Sequence, residues 1–182
     1  MRAIRKFIPV AMGPVLLLVT LTGCSDGEAK SAPKLPGRIC WDIFSGKEVS
    51  PLLPPGDEVK VSTGTFSLLE ELDSATCSLY VDGKIQLQAS ATRRELESQI
   101  DWSSYEKGET DPIDVGEKGI IWPGGAVAYV ACEPSKTPSA PGNYINLSID
   151  TFDTPDDGKA RNALPALLEK FVRFTQRELQ CT

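Results

Sequence analysis

The chain has 182 residues, with 19 lysines and arginines against 25 aspartates and glutamates, a net charge of −6, and no histidine. An acidic surface repels phosphates and argues against nucleic acid as a partner. Without imidazole, Ser-His-Asp and Cys-His catalysis and the commonest zinc ligand are excluded.

Arg2, Arg5 and Lys6 precede a mostly apolar run from Phe7 to Leu21, closed by Thr22-Gly23. That order of charged, apolar and small residues reads as a secretory signal peptide over 1–23. A membrane span needs about 20 apolar residues. This run is shorter, and Gly13-Pro14 interrupts it. Leu21-Thr22-Gly23-Cys24 resembles the bacterial lipobox. The resemblance implies cleavage before Cys24, a diacylglycerol on its thiol, and a chain lipid-anchored on the extracytoplasmic face of the cell membrane. Each buried CH₂ of such acyl chains contributes about 0.8 kcal/mol. Loss of the three basic signal residues leaves 16 lysines and arginines against 25 acids, a net charge of −9 on the mature chain.

Residues 24–38, the lipidated Cys24 and a polar stretch with two prolines and two glycines, read as a flexible tether. Residues 39–182 read as a single extracytoplasmic domain, long enough to build one core. Ser45-Gly46-Lys47-Glu48 matches a capping box and predicts a short helix stopped near Pro51–Pro55. Val59-Lys60-Val61-Ser62 alternates as a strand. Cys77–Val81 and Lys84–Ala91 flank Asp82-Gly83, the preferred type I′ turn, and predict a β-hairpin.

Glu95–Tyr105 is expected to be a helix with Leu96, Ile100 and Tyr105 on one side, and Lys107–Glu117 a loop. A second hairpin is expected from Gly119–Trp122 and Ala126–Cys132 around Pro123-Gly124-Gly125. Gly83 and Gly125 are assigned positive φ in these turns. A Pro-rich loop follows over 134–141, then a strand over Tyr144–Phe152. The last segment, Ala160–Cys181, carries Leu164, Leu167, Leu168, Phe171, Val172, Thr175 and Leu179 at helical spacing, with Pro165 expected in its first turn. Together these predict an α+β fold: an antiparallel sheet of about five to six strands packed by a long C-terminal helix and shorter helices.

Cys40, Cys77, Cys132 and Cys181 remain after Cys24, an even count that implies two disulfides in an exported chain. Three pairings are possible. Cys40–Cys77 with Cys132–Cys181 is preferred, because each bond would tie a chain end to a central strand. No CxxC spacing exists, so zinc is not expected and no cofactor is implied.

Carboxylates are the remaining means of catalysis, and Glu70, Glu71 and Asp73 form one cluster, Asp101, Asp111 and Asp114 another. Twenty-five acids make such clusters ordinary, and no enzymatic activity is expected from them. Asp153–Gly158 resembles a fragment of a calcium loop but lacks its alternating ligands, and reads better as a helix-start turn. Asn146-Leu147-Ser148 is a glycosylation sequon inside a strand. Trp122 beside a tight turn, weighed against burial, and the Pro-rich loop 134–141 are the candidate contact sites. Trp41, next to Cys40, is expected in the core.

The succession of Cys24, Cys40 with Trp41 and Ser45, Cys77, Cys132 and Cys181 resembles small lipoproteins of the actinobacterial cell envelope, a group of uncharacterised activity. It resembles more loosely the disulfide-braced sensor domains of some actinobacterial kinases. The resemblance implies an antiparallel sheet packed by helices and two disulfides, and it supplies no functional residues. The expected function is a non-enzymatic binding or accessory role at the envelope. A small-molecule or lipid carrier is the alternative, and a carboxylate-dependent hydrolase a weaker one. A cavity beneath the C-terminal helix would favour the carrier; a filled core would favour the contact role.

Overall fold

A capped first turn and two tight hairpins set the frame of this α+β chain. The computed structural model describes residues 31–68, 72–105, 109–133 and 142–181. Strands β1 (Arg38–Ile39) and β2 (Phe44–Ser45) pair around Cys40, Trp41 and Asp42, which take φ of 49°, 55° and 61°. Non-glycine residues in this region cost about 1–3 kcal/mol each. The turn is held from outside: Cys40 is bonded to Cys77, and the Trp41 indole N–H donates to the Gly64 carbonyl at 2.7 Å. The Trp41 ring packs on Phe66 and Phe171, with centroids 5.2 and 5.7 Å away, and stays partly exposed at the edge of the core.

Ser45 caps helix α1 (Gly46–Val49) through the reciprocal bonds of a capping box with Glu48. A 3₁₀ turn over Ser50–Leu52 follows. Strands β3 (Val59–Thr63), β4 (Ser74–Val81) and β5 (Lys84–Arg94) form a meander. Asp82 and Gly83, at φ 48° and 79°, make the expected turn. The Asp82 carboxylate also accepts from the Asp57 and Glu58 amides at 3.0 Å each, fixing the approach to β3. Strands β6 (Asp111–Ile113), β7 (Lys118–Trp122), β8 (Gly125–Glu133) and β9 (Asn143–Thr151) complete an antiparallel sheet of seven strands. Its order is β3-β4-β5-β9-β8-β7-β6, so β9 joins the two meanders.

Helix α2 (Asp157–Glu178) covers one face. Ala89 and Ala91 on β5, Ala126 and Ala128 on β8, and Ile145, Leu147 and Ile149 on β9 share a continuous core with Leu164, Leu168 and Phe171 of the helix, all at 0% exposure. Each large apolar side chain so buried contributes about 1.5–3 kcal/mol. The disulfides are Cys40–Cys77 and Cys132–Cys181, tying the first strand pair to β4 and the chain beyond α2 to β8. Lys170 pairs with Glu48, joining α2 to α1.

Several expectations are corrected. No helix spans 95–105. The segment makes two 3₁₀ turns, Glu97–Gln99 and Trp102–Ser104, because Ile100 and Trp102 both pack against Tyr129 and Tyr144 on the sheet. A spacing of two suits a flattened segment and not a helix face. Asp111–Ile113, expected as loop, is the edge strand β6, where Pro112 is tolerated.

Helix α2 starts three residues before Ala160, because Asp156 caps it by accepting from the Lys159 amide at 3.0 Å. Pro165 therefore lies inside the helix, not in its first turn. The Asp153–Gly158 stretch is a helix start. Gly125 does not take positive φ; its role is spatial and belongs to the site. Residues 31–38, expected as the end of the tether, contribute to the body: Pro33 is buried, Leu35 packs on the core, and the Ser31 carbonyl accepts from Gly56.

Candidate functional site

The face of the sheet opposite α2 carries the outward-pointing residues of the same strands. On β9 these are Tyr144, Asn146, Ser148 and Asp150, alternating with the three apolar core residues. The 97–105 segment covers part of this face. Tyr129 donates to Glu97 at 2.9 Å, the Trp102 ring meets Tyr129 at 6.0 Å, and the Lys118 ammonium lies 4.1 Å over the Trp102 ring. Burial, then the Glu97 carboxylate, pushes the Tyr129 phenol up to about 12. This region is a closed packing unit.

Beside it the cover stops, and a cleft of about 500 Å³ opens between Tyr105 and the β7–β8 hairpin, lined by Ser104, Tyr105, Glu109, Trp122, Pro123, Gly124 and Asp150. The turn at Pro123-Gly124 places Trp122 at its wall. A Cβ on Gly125 would lie 2.5 Å from the Trp122 ring, so only glycine lets the indole fold back over the strand. Tyr105 packs against Trp122 with centroids 5.5 Å apart. Trp122 is neither buried core nor fully exposed, as a residue at a cleft wall must be.

Two polar groups meet these rings. The Tyr105 hydroxyl accepts from Asn146 Nδ2 at 3.0 Å, which ties the cover to β9 and employs the amide of the sequon. Asn146 Oδ1 is buried and has no hydrogen-bond partner among the described residues. Asp150 accepts from the Ser148 hydroxyl at 3.1 Å. Burial raises the Asp150 carboxyl above the ordinary aspartate range, and the Ser148 bond offsets part of that. Glu109 sits at the rim, its carbonyl accepting from Arg161 Nη2 at 2.9 Å.

The remaining candidates do not converge. Asp111 pairs with Arg161 on the α2 side, and Asp101 accepts from Ser103 at 2.6 Å. Asp114 is exposed in the β6–β7 connection. Asp73 lies 4.0 Å from Arg94 in a second cleft, of about 560 Å³, with Arg93, Glu95 and Gln99. Its charges answer one another, and Arg93 donates to Asn143 at 3.3 Å. Cys24, Glu70, Glu71 and the 134–141 loop lie outside the described residues. Among the described residues, no group of three or more His, Cys, Asp or Glu could hold a metal ion, and no helix is long and apolar enough to cross a membrane.

Sequence reasoning found Trp122 but missed Tyr105 and Asp150. Asp150 had a signal: with Asn146 and Ser148 it makes the polar half of the β9 alternation. Tyr105 had none, since its place depends on the 3₁₀ turns. No family model, no curated protein and no solved structure matches the chain.

Proposed function

We propose that this chain is a membrane-anchored bacterial lipoprotein with a non-enzymatic binding or accessory role at the cell envelope. Cys24 carries the lipid on the extracytoplasmic face, and the Trp122 cleft is the contact surface. The observation that carries the reading is the cleft: aromatic walls and a half-buried carboxylate in about 500 Å³, within the range of ligand sites. The continuous apolar core shared by α2 and the sheet supports a contact role over a lipid held beneath the helix. The small-molecule reading keeps one specific support, since the same cleft would admit a compact ligand.

A photo-crosslinking residue in place of Pro123 tests the contact role in intact envelopes. The expected result is a discrete adduct that Trp122→Ala abolishes. An adduct pattern indifferent to Trp122, or none at all, contradicts it. The anchor is tested separately: Cys24→Ser is expected to move the chain from the membrane to the soluble fraction. Retention on the membrane of a Cys24→Ser variant whose residues 1–23 have been removed would contradict lipidation at Cys24.

A further inference from the structure

We infer that the Trp122 cleft takes an organic ammonium group, with Asp150 as its counter-charge and Trp122 and Tyr105 packing the carbon skeleton beside it. This rests on the reading of the cleft as the contact surface and names the chemistry that the surface selects.

Charge decides first. Among the described residues, Asp150 receives one neutral donor, the Ser148 hydroxyl, and no lysine or arginine pairs with it. A carboxylate removed from water with one neutral donor is incompletely compensated. An anionic ligand would add repulsion from Asp150 and from Glu109 at the rim. A neutral ligand would displace water from the carboxylate without replacing its charge. An ammonium restores the balance through a charge-assisted hydrogen bond.

The aromatic walls agree, because methylene groups next to a cationic nitrogen pack well on indole and phenol rings. Trp122 is held by its fit over Gly125, and Tyr105 by Asn146, so both are positioned before a ligand arrives. The Tyr105 oxygen accepts one bond from Asn146 and keeps a second lone pair, which can accept from the ligand's ammonium as a second recognition point. The volume suits one small amine or the end of one lysine side chain. These are two sources of the same chemistry.

The test uses the full lipid-anchored chain in a nonionic detergent and three probes: phenethylamine, its neutral analogue 2-phenylethanol, and N-acetyl-lysine methylamide. Binding is read from the Trp122 indole N–H resonance, assigned with Trp122→Phe. The ammonium probes are expected to bind at least about tenfold tighter than the alcohol. Asp150→Asn, nearly isosteric, is expected to remove that advantage, bringing the ammonium probes to the affinity of the alcohol. Phenethylamine as the tighter cation points to a free amine, and the lysine probe as the tighter one points to a partner's lysine. Equal binding of amine and alcohol, an advantage that survives Asp150→Asn, or a Trp122 resonance that no probe moves overturns the inference. A Trp122-dependent crosslink found alongside any of these would leave the contact role standing and remove only the ammonium.

Discussion

The two faces of the seven-stranded sheet are built from the same strands and serve opposite ends. One is covered by α2 along a continuous apolar core and is fastened at its ends by Cys40–Cys77 and Cys132–Cys181. The other carries polar and aromatic side chains under a short 3₁₀ cover that leaves the Trp122 cleft open. The contrast extends to single carboxylates. Glu48 sits between Lys170 and Ser45, whose hydrogen bonds hold it down to about 2 from an ordinary 4.5. Asp150 is raised by burial and accepts from the Ser148 hydroxyl. The first contributes stability, and the second gives up stability to keep a charged group in a cleft.

If the helix-covered face supplies the stability, the largest loss should come from its centre. Phe171, fully buried, replaced by alanine is expected to lower the unfolding free energy by about 3–5 kcal/mol in a urea titration. Trp122→Ala in the same titration should cost distinctly less, since its ring lies at a cleft wall; equal costs would dissolve the contrast.

Removing the Cys132–Cys181 bond by paired serine substitutions should cost about 2–5 kcal/mol and lower the thermal midpoint. Most of that effect belongs to the unfolded chain, whose 49-residue loop is released.

The carboxylates sharpen the comparison through pH. A lowered folded-state value means that Glu48 contributes stability above 4.5, lost as pH falls toward about 2. The pair is part-exposed, so screening holds the effect to about 1 kcal/mol or less. Glu48→Gln should flatten that part of the acid-stability profile. Asp150 has the opposite sign: its raised value costs stability once it ionises, and the cost disappears as pH falls back toward 3.8. Asp150→Asn should therefore leave neutral-pH stability unchanged or slightly higher, the smallest effect of the series. A clear loss would mean that Asp150 is structural.

Features fixed by neighbours in sequence were the legible ones. The Ser45 capping box, the Asp82-Gly83 turn, the second hairpin and the apolar stripe of α2 all follow from local chemistry, and the disulfide pairing is the preferred one of the three that four cysteines allow. What was not legible depends on distant partners. The 95–105 segment has a helical apolar spacing, yet Ile100 and Trp102 find their partners on β8 and β9, and tertiary packing overrides the local pattern. The preference of proline for a helix start points to Pro165 in the first turn, while the Asp156 cap begins the helix earlier. Gly125 read as a turn glycine, and only the Trp122 ring explains it. Half of the site was visible as a tryptophan at a hairpin. The other half needed the register that lays Asp150 opposite Gly125.

The most direct test of a structural face and a contact face is native mass spectrometry of the chain recovered from the cells that make it, with and without Trp122→Ala. A defined bound mass on the original chain, absent from a variant with the same far-UV spectrum, is the predicted result. The same mass on both chains would place the contact elsewhere and contradict the assignment of the Trp122 cleft.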